Sequence, residues 1–318
     1  MIAHRIRSLP RCCLLIALIY TPLTAIASAD NEHVYAALTH KSISWYDSST
    51  SSINFDAKAV KEVDFTLRLA DNIYVGVLFG LDDQTKDGAR LATYLGFGEW
   101  GLKIEKGTIG GRFEYDPNLQ LQLTGQQFSN KYESAAIYKS KMGGASQSGI
   151  GYMRWVMPTK ANVQYDNSSG FSRDVDFVDP GTEYQLVGYY MRFDQLRAII
   201  SAARSSGWNV EPEVIIGYIE QTPSTLRSSA IRAVTGKTPT VTKVQSIGSA
   251  ASMRFGYFAG RKHGEGPFGA GFGFAAGYEI RVSGAWLNLD SSVTANDTIQ
   301  TDPYAISHGL FLRLGANW

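Results

Sequence analysis

The sequence predicts an all-β fold: one antiparallel transmembrane β-barrel of 12 or 14 strands, with a short helix near 194–206. Three observations carry this. Apolar and polar residues alternate with a period of two along most of the chain, an export-type leader precedes them, and no apolar run of helix-spanning length follows. The alternation is clearest at residues 268–282. One face carries Phe268, Ala270, Phe272, Phe274, Ala276, Tyr278, Ile280 and Val282; the other carries glycines, Ala275, Glu279 and Arg281. Successive strand side chains point to opposite faces, so one face is greasy and the other small or charged. A lipid-facing surface outside and a wet lumen inside account for both.

The leader comes first in the chain. Arg5, Arg7 and Arg11 precede an apolar core from Cys12 to about Tyr20, and Ala27-Ser28-Ala29 stands before Asp30. This is the form of a cleaved signal peptide, which leaves residues 30–318 as the barrel domain. Both cysteines lie in the leader, so the exported chain has no thiol chemistry and no disulfide. Of 30 Lys+Arg, three leave with the leader, so 27 face 29 Asp+Glu. That balance gives no basis for nucleic-acid binding. Tyr outnumbers Phe, 17 to 15, as suits side chains at a membrane–water boundary.

Further strands follow in order. His33–Trp45 is a weak first strand. Val63, Phe65, Leu67 and Leu69 alternate with Glu62, Asp64, Thr66 and Arg68, and Asp71-Asn72 turns the chain into Ile73, Val75, Val77 and Phe79. A strand from about Leu91 to Glu105 turns at Lys106-Gly107 into Ile109, Gly111, Phe113 and Tyr115. Asp116-Pro117-Asn118 then turns it into Leu119, Leu121 and Leu123. Later strands are expected at 131–139, 149–157, 183–193, 211–221, 246–260, 268–289 and 304–318, about thirteen in all. Residues 158–182 and 222–243 read as long polar loops, expected on the outer side. Leu196, Ile199, Ile200 and Ala203 share one helical face after Asp194, an N-cap residue, with Gly207 as the stop. That helix fits a periplasmic turn, a barrel rim or a plug folded into the lumen.

The chain ends on Trp318, and counting back in twos gives Ala316, Leu314, Leu312 and Leu310 against Asn317, Gly315 and Arg313. This resembles the C-terminal strand of bacterial outer-membrane β-barrels. The resemblance implies a Gram-negative outer membrane, with its lipid and lipopolysaccharide, and a strand read by the barrel-insertion machinery through Trp318.

Function is sought on the inward face. Alternation assigns to it Glu62, Asp64, Arg68, Arg112, Glu114, Arg154, Arg192, Glu279 and Arg281 as pore-lining residues, with Glu105, Arg254 and Arg313 beside them. Opposed charges across a lumen filter solutes by size and charge, and at the level of class the set resembles that of general porins. The expectation is passive diffusion of small hydrophilic solutes, with no cofactor and no catalytic metal. Outward rings are expected at Trp155, Phe272, Tyr278, Phe311 and Trp318.

Two other function classes compete. A filled lumen would make the barrel a structural or adhesin protein. A lipid hydrolase would need a nucleophile: His40 and Ser42, with Asn54, have the spacing of the triad of outer-membrane phospholipases. The resemblance stops there, because Ile43-Ser44-Trp45 follows Ser42 in place of that family's Gly and Arg. Asp174, Asp176 and Asp179 cluster in one predicted loop and could serve an Asp/His protease, a lipid A-modifying enzyme or loosely held divalent ions.

Overall fold

In the computed structural model the alternating segments become strands that close on themselves. The structure describes residues 33–47, 52–53, 58–70, 72–81, 90–113, 126–141, 144–166, 172–201, 204–222, 243–262, 264–266, 269–289, 298–299 and 304–318. The leader, Leu119–Thr124, Asn54 and all of 223–242 therefore lie outside the described residues.

Twelve long strands form the wall. They are β1 (Val34–Asp47), β3 (Lys58–Ala70), β4 (Ile73–Gly80), β5 (Arg90–Phe97), β6 (Trp100–Phe113), β7 (Gln126–Lys141), β8 (Ser146–Asp166), β9 (Ser172–Phe193), β10 (Gly207–Thr222), β11 (Val244–Arg261), β12 (Gly271–Asn288) and β14 (Tyr304–Asn317). The two-residue strands β2 (Ser52–Ile53) and β13 (Thr298–Ile299) only extend β1 and β8. Each wall strand pairs antiparallel with the next, and β1 pairs with β14 from Tyr35↔Asn317 to Trp45↔Ser307, which closes the ring. Closure leaves no free sheet edge, so the wall's backbone groups pair between strands. The last residue takes part: the Trp318 N–H donates to the Val34 carbonyl at 2.9 Å.

Both ends of the described barrel chain, and the short connections, lie on one rim. The turn at Gly98–Glu99 is one of them, with Gly98 at φ +58°, where a glycine is unstrained. The strand ends at Asp47, Gly80, Phe113, Asp166, Thr222 and Asn288 face the other rim.

Three expectations change here. The hairpin expected at Lys106-Gly107 turns at Gly98–Glu99 instead, and Trp100–Phe113 runs on as one strand. Residues 158–182 are mostly strand: β8 and β9 stay paired out to Asp166↔Ser172, so Asp174, Asp176 and Asp179 sit in β9 and not in a loop. The helix, α1 (Gln195–Ile200), is shorter than predicted, ending at the Ser201 cap, and Gly207 opens β10.

The outer surface carries an apolar band. Leu38, Phe65, Ile137, Ile150, Phe255, Phe272, Leu310 and Leu312 are all exposed on it. Phe97, Trp100, Trp208, Phe272 and Trp318 ring the short-turn rim, and Trp208 stacks on Phe255 at 5.5 Å. Toward the other rim the outer face turns charged, with the pairs Lys106–Glu133 (3.4 Å), Arg154–Glu183 (2.7 Å) and Lys243–Glu220 (2.6 Å). From Trp208 to Glu220 strand β10 rises roughly 40 Å at ~3.3 Å per residue, which a tilt of ~35–45° reduces to about 30 Å. This matches the thickness of a bilayer's hydrocarbon core. The closed even-stranded ring, the apolar band and the aromatic rim are the architecture of outer-membrane β-barrels.

Candidate functional site: a plugged and charged lumen

The connection from β9 to β10 turns inward. Asp194 caps α1, its carboxylate accepting the Arg197 N–H at 2.9 Å, and Leu196, Ala198, Ile199 and Ile200 are buried. A six-residue helix has little stability of its own, so packing must hold it. Its seat is a row of glycines paired across three strands, Gly260↔Gly273↔Gly315. A Cβ at Gly273 would lie 2.8 Å from Ile200 Cγ2 and 2.9 Å from Leu196 Cδ1. One at Gly315 would lie 3.0 Å from Leu196 Cδ2. Leu196 and Ile199 also pack with Phe258, Ala275 and Phe311, and Ile200 with Tyr35 and Ala37. The helix is a plug inside the short-turn end of the lumen.

A layer of paired charges lies above it. Arg313, almost wholly buried, donates to Asp194 at 2.7 Å, to Glu211 at 2.9 Å and to the Tyr35 hydroxyl at 2.8 Å. Arg192 reaches Asp64 at 3.0 Å and the Tyr94 hydroxyl at 2.9 Å. Arg254 bridges Glu279 (2.6 Å) and Glu211 (2.7 Å), and Lys41 binds Glu62 at 2.6 Å. Farther from the plug, Arg90 meets Glu105 at 2.7 Å and Glu213 at 3.0 Å, and Lys103 bridges the same two carboxylates. Lys41, Arg90, Lys103, Arg192, Arg254, Arg281 and Arg313 thus match Glu62, Asp64, Glu105, Asp194, Glu211, Glu213 and Glu279 one for one. Neutral balance is what a buried layer requires, since an unpaired buried charge costs several kcal/mol. Asp194 lies in the connection outside the strands. Burial alone would raise its carboxyl, but the Arg313 and Arg192 guanidinium groups and the Arg197 N–H outweigh this and hold it below the usual carboxylate range.

Beyond the charges the lumen becomes apolar. Trp155 stacks on Tyr184 with centroids 5.2 Å apart, and Met153, Met157, Leu186, Ile215 and Ile219 pack around them. A cavity of about 100 Å³ lies between this cluster and the charges. Smaller cavities, of about 20 and 10 Å³, lie among the ion pairs themselves.

The predicted residues divide. Glu62, Asp64, Arg192, Glu279 and Arg281 sit together in the layer. Arg68 is half-buried near the short-turn end of β3. Arg112 lies in β6 opposite Gln127, and Glu114 lies outside the described residues. Arg154 is corrected: it stands on the outer surface, about half exposed and paired with Glu183, while Trp155 points inward and is fully buried. Phe311, too, is buried inside, on the plug. The physical reason is that this lumen holds rings as well as charges, so an aromatic residue does not by itself mark the lipid face. Lys41, Arg90, Lys103, Asp194, Glu211 and Glu213 were missed. Their signal was available, since Glu211 and Glu213 flank Pro212 with the two-residue spacing of one strand face.

His40 and Ser42 both point outward, and the Ser42 hydroxyl is taken by the Leu310 backbone, accepting its N–H at 2.9 Å. No hydrogen bond joins His40 to Ser42 among the described residues, and Asn54 lies outside them. Among the described residues no group of three His, Cys, Asp or Glu side chains is disposed to hold a metal ion.

No protein-family model matches the chain, and no curated protein matches it in sequence. Among solved structures it is similar to the outer membrane protease OmpT from Escherichia coli, at 8% identity, covering 92% of this chain and 98% of that one, with a TM-score of 0.27. It is similar also to the CymD monoaromatic hydrocarbon channel, at 8% identity, covering 90% and 88%, with a TM-score of 0.24. One is a protease and the other a channel, and likeness at this level favours neither chemistry.

Proposed function

We propose that the chain is an outer-membrane barrel that conducts small hydrophilic solutes by a path closed in this conformation. The apolar band with its aromatic rim supports the membrane location, and the alternation ending at Trp318 supports recognition by the insertion machinery. The observation that carries the gated reading is Arg313, whose guanidinium holds the plug through Asp194 and the charged layer through Glu211. One group thus couples helix and layer, so releasing it loosens both obstructions at once.

The test is single-channel recording in planar bilayers with barrel purified from outer membranes. The wild type is expected to give rare, brief steps. A variant with residues 195–200 replaced by glycine and serine, and Arg313→Ser added, is expected to give frequent steps. A folded variant silent at every voltage would mean that the lumen is permanently filled, and the structural-barrel reading would take its place.

A further inference from the structure

We infer that the lumenal cavity is a binding site for a small monocarboxylate with an apolar body. Its lining has two characters. Ile43, Ile109, Met153, Ile215, Ala250 and Ala305 form apolar walls. The polar side is built around Arg281, which pairs in register with Ser252 on β11 and Ser307 on β14, with Ser283 one inward position along β12. These four side chains form one hydroxyl-flanked cationic patch.

The patch is short of acceptors. Arg281 Nε donates to Glu279 at 2.5 Å, but its buried Nη2 has no hydrogen-bond partner. Glu279 is shared with Arg254 and Lys41, so it does not belong to Arg281 alone. Ser252, Ser283 and Ser307 line the cavity beside Arg281. Of the cations lining the cavity, Arg90 and Lys103 are held by Glu105 and Glu213, whereas Arg281 has only its one bond to the shared Glu279.

A carboxylate supplies what is missing. It accepts from the unpartnered Nη2 of Arg281 and from the flanking serine hydroxyls. A phosphate or sulfate would satisfy the arginine but leave the apolar walls uncovered. A neutral alcohol would cover the walls but leave the guanidinium unpaired. The cavity is of the order of those that admit a benzene-sized body, which limits the ligand to a short chain or one ring.

This deepens the proposed function by naming its solute and rests on that reading for transport alone. Binding is read without current, so failure to bind and failure to conduct are separate results. The experiment is isothermal titration of the purified barrel with hexanoate, with 1-hexanol and hexylamine as neutral and cationic counterparts. Saturable one-to-one binding of hexanoate is expected, with both counterparts weaker by roughly tenfold or more, as befits a lost charge-assisted hydrogen bond. Arg281→Gln is expected to lose a similar factor for hexanoate and little for hexanol. Ala250→Leu, which fills the apolar side and leaves the charges in place, is expected to abolish binding of both, and it decides the matter if Arg281→Gln does not fold. Absence of saturable hexanoate binding, equal binding of hexanol, or unchanged binding by either folded variant overturns the inference.

Discussion

Arg313→Met tests the coupling between plug and wall most directly. The substitution keeps much of the side chain's volume and removes its charge. Asp194 then keeps the hydrogen bonds from the Arg197 N–H and the Tyr35 hydroxyl, with Arg192 as a more distant cation at 3.7 Å, and Glu211 retains Arg254 at 2.7 Å. Breaking a buried pair by removing one partner costs about 3–5 kcal/mol, because the remaining charge stays in a poorly solvated site. Asp194 is the more exposed to that cost, since its remaining cation is the more distant. Adding Asp194→Asn removes the stranded charge while leaving an oxygen to cap α1. The double variant should therefore lose less than the sum of the two single ones, with a coupling energy of about 2 kcal/mol or more. The assay is urea unfolding of the barrel in detergent micelles for the wild type and the three variants. Strictly additive losses would mean that Arg313 and Asp194 are neighbours without energetic coupling, and the account of a plug latched by charge would fall.

Gly273→Leu should displace Leu196 and Ile200 from their seat, leaving a folded wall but exposing the 194–206 connection to protease added at the short-turn side; resistance equal to wild type would contradict the cradle. Phe272→Arg, on the lipid face at the short-turn rim, should cost about 1 kcal/mol or less, because the penalty of about 2–4 kcal/mol belongs to the midplane, and should lower the yield of assembled barrel only slightly, measured by heat-modifiable mobility. Arg154→Ala should leave the conductance of an opened variant unchanged, because that side chain stands outside the barrel. For pH the direction follows from Asp194. A depressed carboxyl contributes stability that is present above the ordinary carboxylate range and is lost as pH falls through its lowered value. Acidification from neutrality to about pH 5 should therefore leave the plug seated, and steps appearing in that interval would contradict it.

The alternation was readable where one face alone is apolar. In β14, Leu310, Leu312 and Leu314 meet lipid while Arg313 and Asn317 point inward, and period and parity agree. In β8 both faces are mixed: Met153, Trp155 and Met157 fill the lumen, and Tyr152 and Val156 face out. The period survives there but does not fix which face is inward, so an alternation that puts charge inside and rings outside fails at Arg154 and Trp155. The glycines of β12 were legible as a small face, which suggested water. Their partner lies more than seventy residues earlier in the chain, and no local pattern reveals that a helix fills the space. The charge pairing was hidden for the same reason. Arg313 and Glu211 are 102 residues apart, and only closure of the ring brings them together.

The position of the plug also bears on how the ring stays closed. Through Gly315, Phe311 and Arg313 it grips the last strand, and through Tyr35 and Ala37 the first, so it lies across the junction at which the ring closes. A segment seated on both sides of a seam ties the two strands together whenever it is docked. The same contacts then rivet that join from within, at the one place where the wall has no covalent connection between neighbouring strands.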